Sequence, residues 1–124
     1  MTILSSGQNI YLRQGDTGNI TFNGIPKDKA YTVYLSVYNP DTESIIKEIE
    51  HDTFIQAQGQ VLFKVDEDTS NSLPVGDWVY GLKICAPDGS EDTILPRAYV
   101  DDSGELIKEP APQFTVDYKY IEGA

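Results

Sequence analysis

Cysteine, histidine and tryptophan each occur once in these 124 residues, and lysine and arginine together only nine times. A lone Cys85 excludes an intramolecular disulfide. Its place in an alternating apolar stretch reads as a buried structural thiol rather than a nucleophile, with Lys83 the only basic neighbour in sequence. One cysteine and one distant histidine do not make a zinc site, which takes three or four protein ligands. His51 lies between Glu50 and Asp52, so a carboxylate could orient it, but no Gly-x-Ser-x-Gly or comparable nucleophile signature accompanies it. It reads as a surface or turn histidine. The nine basic residues are scattered singly along the chain, and no basic footprint for nucleic-acid phosphates or an anionic membrane results. No apolar run approaches the ~18 residues of a membrane span, so no membrane insertion is expected. Met1-Thr2-Ile3-Leu4-Ser5-Ser6-Gly7 has neither a basic nor an apolar signal-peptide region. The expectation is a soluble product made in the cytoplasm without a signal peptide.

What the chain does have is acid and aromatic surface. Twenty acids give a net charge of −11, and eight Tyr, four Phe and one Trp stand among 40% apolar residues. The length suits one domain, residues 1–124, able to bury roughly two thirds of its extended surface. Apolar residues alternate with a period of two through most of it. Ile10 and Leu12 form one short strand, Ile20 and Phe22 a second, and Val33, Leu35 and Val37 a third that Asn39-Pro40 ends. Ile45, Ile46 and Ile49 fit a helical face, but the segment is short and β-branched, and strand is preferred. Val61, Phe63 and Val65 alternate next, and 66–71 reads as an acidic, polar loop.

Residues 73–89 are the most explicit piece. Leu73-Pro74-Val75-Gly76 brings the chain into a strand with Trp78, Tyr80, Leu82 and Ile84 on one face, and Pro87-Asp88-Gly89 turns it back. Residues 91–95 should pair on that strand. Asp101 to Gly104 is a further turn, an extended connector occupies 101–112, and Phe114, Val116, Tyr118 and Tyr120 alternate in a last strand. Eight or nine short strands separated by turn signals predict an all-β, antiparallel β-sandwich of immunoglobulin-like type. Trp78 is expected between the sheets, its indole N–H satisfied by a nearby carbonyl.

Chemistry is harder to place. Asp66, Asp68, Ser70 and Asp77 offer oxygen donors whose spacing resembles a calcium loop. Asn71 stands where that loop needs glycine, however, and the flanking elements read as strands, so these remain weak calcium candidates and a solvated loop is preferred. Gly15-Asp16-Thr17-Gly18 lacks the lysine and following helix of a phosphate loop, and its Asp-Thr-Gly lacks the hydrophobic flanks of an aspartic protease; a turn is the plain reading. With no base, nucleophile or metal constellation, the expectation is a protein that is not an enzyme and carries no cofactor. Tyrosine supplies contact area at low entropic cost. Tyr34 and Tyr38 share one strand face, and Tyr118 and Tyr120 another, which makes these four the interface candidates.

Two segments together resemble a known family. Tyr11-Leu12-Arg13-Gln14-Gly15-Asp16-Thr17, and Leu73-Pro74-Val75-Gly76-Asp77-Trp78 running on to Ile84 and Pro87-Asp88-Gly89, look like hairpins of the N-terminal domains of phage baseplate upper proteins and related virion β-sandwich modules. The resemblance implies a structural role in a virion tail, baseplate or head, with assembly onto protein partners or as a homo-oligomer. A protein of that kind would be made in the host cytoplasm and carried in the virion. A different class also suits a β-sandwich: an extracellular ligand- or carbohydrate-binding module using exposed Trp or Tyr as stacking platforms, with Tyr38, Tyr99 or Tyr120 serving if Trp78 is buried.

Overall fold

The computed structural model describes residues 9–96 and 98–118. Alternating apolar residues form two facing sheets, because each strand buries one side and wets the other. In the larger sheet the order is β1 (Ile10–Arg13), β11 (Gln113–Asp117), β7 (Gly76–Cys85), β3 (Thr32–Tyr38) and β4 (Ile45–Glu50). Strand β8 (Glu91–Leu95) pairs with the second half of β7, beyond the stretch that β11 occupies. The facing sheet is β2 (Gly18–Phe22), β6 (Gln60–Val65) and β5 (Thr53–Ile55), and β9 (Ala98–Val100) pairs with β10 (Leu106–Lys108) as a separate hairpin. All pairings are antiparallel except β1 with β11, which run parallel.

The expected all-β sandwich is therefore the fold, but eleven strands form among the described residues rather than eight or nine. The three additional ones, β5, β9 and β10, are three residues each. Strands that short show no alternation to read. One of them, β10, occupies part of the stretch expected as an extended connector, between the turn at 101–105 and the irregular 109–112. The 44–50 segment is a strand: Leu35 of β3 faces Ile49 of β4. Residues 66–71 are not a loop. Glu67–Ser72 forms helix α1, with the Asp66 carboxylate accepting from Thr69 N at 2.7 Å as N-cap. Glu67 and Asp68 in its first turn favour the positive end of the helix dipole.

An aromatic chain crosses the core. Phe63 and Phe22 of the smaller sheet meet edge to face at 5.9 Å, Phe22 reaches Tyr80 at 5.9 Å, and Tyr80 meets Phe114 at 6.2 Å. Tyr80 thus holds the inter-sheet position expected of Trp78. Trp78 is half-buried at the core's margin, packed over Gly76, where a Cβ would come within 2.6 Å of the indole. Its Nε1–H donates to the Pro74 carbonyl at 2.8 Å, the kind of partner expected.

The two segments that carried the resemblance touch each other. Gln14 Nε2 donates to the Leu73 carbonyl at 2.8 Å, and Gly15 N, at φ +88°, donates to the fully buried Ser70 Oγ at 2.6 Å. Ser70→Ala leaves that part-buried N–H without its partner and should cost about 1–3 kcal/mol. Urea unfolding followed by circular dichroism checks this, and a loss within ~0.5 kcal/mol, the level of ordinary surface substitutions, would contradict it.

Candidate interaction surface

The outer face of the larger sheet carries Tyr34, Ser36 and Tyr38 of β3. In register they are flanked by Glu50, Glu48 and Ile45 of β4 and by Lys83, Gly81 and Val79 of β7. An open groove of about 250 Å³ runs over this face, with Ser36 and Gly81 between Tyr38, Glu48, Lys83 and Pro96. Gly81 lets the β8 end approach: a Cβ there would lie 2.8 Å from the Leu95 carbonyl oxygen.

The polar groups on this face are engaged with one another. Ser36 Oγ donates to Glu48 Oε2 at 3.3 Å, and Lys83 Nζ pairs with Glu91 Oε1 at 3.5 Å while standing 5.7 Å over the Tyr34 ring. Cys85 is half-buried on this outer face rather than fully buried, and its Sγ–H points at Glu91 Oε1, 3.5 Å away. Loss of solvation, then the Glu91 carboxylate, raise its pKa and keep the thiol protonated, the opposite of an activated nucleophile. Desolvation likewise raises the phenols of Tyr34 and Tyr38, with Glu50 adding to the effect at Tyr34. The groove is smaller than the ~300 Å³ at which small-molecule pockets begin. Its neutral phenols and paired charges suit contact with another surface.

Of the four tyrosines expected at an interface, the fold brings Tyr34 and Tyr38 together on this face, both half-buried. Tyr118 follows the end of β11, is 73% exposed, and lies beyond β7 from them. Tyr120 lies outside the described residues. The calcium candidates are dispersed among other tasks. Asp66 caps α1, and its hydrogen bonds from Thr69 hold its carboxyl below the usual range. Ser70 is buried against Gly15, Asp68 is exposed on α1, and Asp77 is exposed on β7. Among the described residues no group of three or more His, Cys, Asp or Glu side chains is placed to hold a metal ion. His51 ends the β3–β4 ladder: its Nδ1 accepts from Val33 N at 3.0 Å and its own N–H donates to the Val33 carbonyl at 2.9 Å.

The free edge of the larger sheet at β4 is guarded. Lys47 stands opposite Val37, so a charge shares the core-facing side of an edge strand. In a two-fold antiparallel pairing facing residues share parity, so a pairing centred on this strand would set Lys47 or Glu48 against its own copy.

Sequence reasoning passed over the β9–β10 hairpin. Val100 faces Leu106 across it, and the two are 65% and 56% exposed. Tyr99-Val100 and Leu106-Ile107 on either side of Asp102-Ser103-Gly104 are the signal that could have found it.

Two sheets packed around an aromatic core, with tyrosines on the outer face of the larger one, define an all-β sandwich. No protein-family model and no curated protein matches the chain. Solved structures do resemble its fold. The N-terminal domain of phage TP901-1 ORF48 has a TM-score of 0.51 at 10% identity, covering 96% of this chain and 95% of that one. CopC from Methylosinus trichosporium OB3b has a TM-score of 0.45 at 13% identity, covering 94% and 91%.

Proposed function

We propose that this chain is a non-enzymatic structural module of a phage particle, part of a tail, baseplate or head-associated assembly, that acts through protein–protein contacts. The fold likeness to the phage ORF48 domain, nearly end to end in both chains, carries the reading. The Tyr34–Tyr38 face and the exposed Val100–Leu106 pair of the hairpin supply contact surface, and the net charge of −11 opposes phosphate and anionic-membrane partners. The protein is made in the host cytoplasm and carried in the virion without a cofactor.

The deciding experiment is quantitative mass spectrometry of purified particles produced from the genome that encodes this chain. The chain is expected at a fixed ratio to the other particle proteins, and its absence from the particles would end the structural reading. A glycan array run in parallel addresses the carbohydrate-binding class. Specific sugar binding by a monomer would favour that class, although the one Trp is held against Gly76 and the Pro74 carbonyl rather than offered as a platform.

A further inference from the structure

The β9–β10 hairpin is built as an arm. Its strands pair in register from Ala98 opposite Lys108 to Val100 opposite Leu106, and its backbone packs chiefly on itself. A two-stranded hairpin alone is marginal in water, so what keeps this one formed is informative. Asp101 staples the turn: its Oδ1 accepts from Ser103 N at 2.9 Å, Ser103 Oγ at 2.6 Å and Glu105 N at 3.0 Å. The backbone adds Asp101 N to the Glu105 carbonyl and Gly104 N to the Asp101 carbonyl, with Gly104 at φ +85°. The turn is therefore organised before any partner arrives, which lowers the ordering cost of binding.

The arm presents two kinds of surface together. Val100 and Leu106 are side by side on one face, both more than half exposed, with Tyr99 exposed on the other. Directly beyond them stand Asp101, Asp102 and Glu105, with Lys108 the one described base on these strands. An apolar pair next to a carboxylate tip is complementary to an apolar pocket with a basic rim.

Neither a two-fold contact nor the outer-face groove of a second copy offers that. A two-fold contact brings the same patch against itself, so the two acidic tips would meet. A head-to-tail contact with the groove on the outer sheet face would meet Glu48 and Glu50, and Lys83 there is already paired with Glu91. At −11 per chain, copies also repel one another generally.

We propose that the β9–β10 hairpin is the docking arm of this protein, inserting Val100 and Leu106 into an apolar, basic-rimmed pocket of a different protein of the assembly. The inference rests on the virion reading and names the surface through which that role is performed.

The test uses Val100→Cys in a Cys85→Ser background, labelled with a maleimide in the free protein and in purified particles. Rapid labelling when free and about tenfold or greater protection in particles is expected. Particles that contain the chain yet label Val100→Cys at the free rate overturn the docking arm and leave the virion reading standing. Particles without the chain overturn both. Two further variants keep the result independent of folding. Val100→Lys/Leu106→Lys and Asp102→Lys/Glu105→Lys should each melt within a few degrees of the parent and enter particles at about a tenth of its level or less. Normal incorporation of the first overturns the apolar contact, and of the second the basic rim. Light scattering that shows a dimer of the free protein, lost in Val100→Lys/Leu106→Lys, would replace the foreign partner with a second copy.

Discussion

Phe22→Ala should lower stability by about 3–5 kcal/mol, the usual cost of emptying an aromatic site in a packed core. Phe22 is fully buried and touches both Phe63 within its own sheet and Tyr80 in the facing one, so it is the link through which the sheets meet. Removing the ring forfeits its burial and leaves a void that the partners cannot close without moving two sheets toward each other. Total stabilities of domains are about 5–15 kcal/mol, so roughly a fifth or more of the whole is at stake. For a chain of this size the melting temperature should fall by roughly 10–20 °C. Urea and thermal unfolding measure both quantities, with Tyr118→Ala, at an exposed position, as the control that should change little. A loss below about 1 kcal/mol at Phe22 would mean that the sheets are not packed through this ring.

The second large effect is expected at a glycine. Gly59 ends the short 3₁₀ turn Gln56–Gln58 in the left-handed region, at φ +60° and ψ +36°. A Cβ there would sit 2.5 Å from the Ile25 carbonyl oxygen, a backbone atom with little freedom to yield. The same turn is joined to Ile25 by the hydrogen bond from Ile25 N to the Gly59 carbonyl at 2.9 Å, so the two backbones cannot separate cheaply. Gly59→Ala should therefore cost about 2–4 kcal/mol, the conformational strain plus displacement of the turn. Gly89→Ala separates the two contributions. Gly89 also has positive φ, at +91°, but nothing lies within 4 Å of where its Cβ would be. Its cost should be only about 1 kcal/mol, the strain alone. Equal losses at Gly59 and Gly89 would refute the close approach to Ile25.

Much of this architecture is legible residue by residue. The alternation of Val33, Leu35 and Val37, or of Tyr80, Leu82 and Ile84, marks strands and their buried faces, and those residues are the core. The turns at Gly15 and Gly89 are equally plain, because a positive φ has a residue signature. Shorter elements escape such reading. Three residues of β5, β9 or β10 hold no period, and α1 is made helical by one capping carboxylate and the packing of Ser70 rather than by an apolar stripe.

The candidate surfaces divide in the same way. That Tyr34 and Tyr38 share a face follows from their spacing, but the glutamates of β4 and the Lys83–Glu91 pair around them follow only from which strands become neighbours. The calcium candidates illustrate the converse: spacing placed Asp66, Asp68, Ser70 and Asp77 in one pattern, and folding gave Asp66 to a helix cap and Ser70 to Gly15.

By itself, then, the sequence determined that this chain makes a sandwich of alternating strands without a disulfide, and which side of each long strand is dry. Those properties are local, since side-chain direction along a strand repeats every two residues whatever lies opposite. Tertiary structure alone decided that β1 runs parallel to β11, that Gln14 reaches Leu73 across the fold, and that Tyr80 rather than Trp78 lies between the sheets. Parity puts both aromatics on the same side of β7. Which of them is enclosed depends on where the facing sheet stands, and Phe22 of that sheet stands over Tyr80.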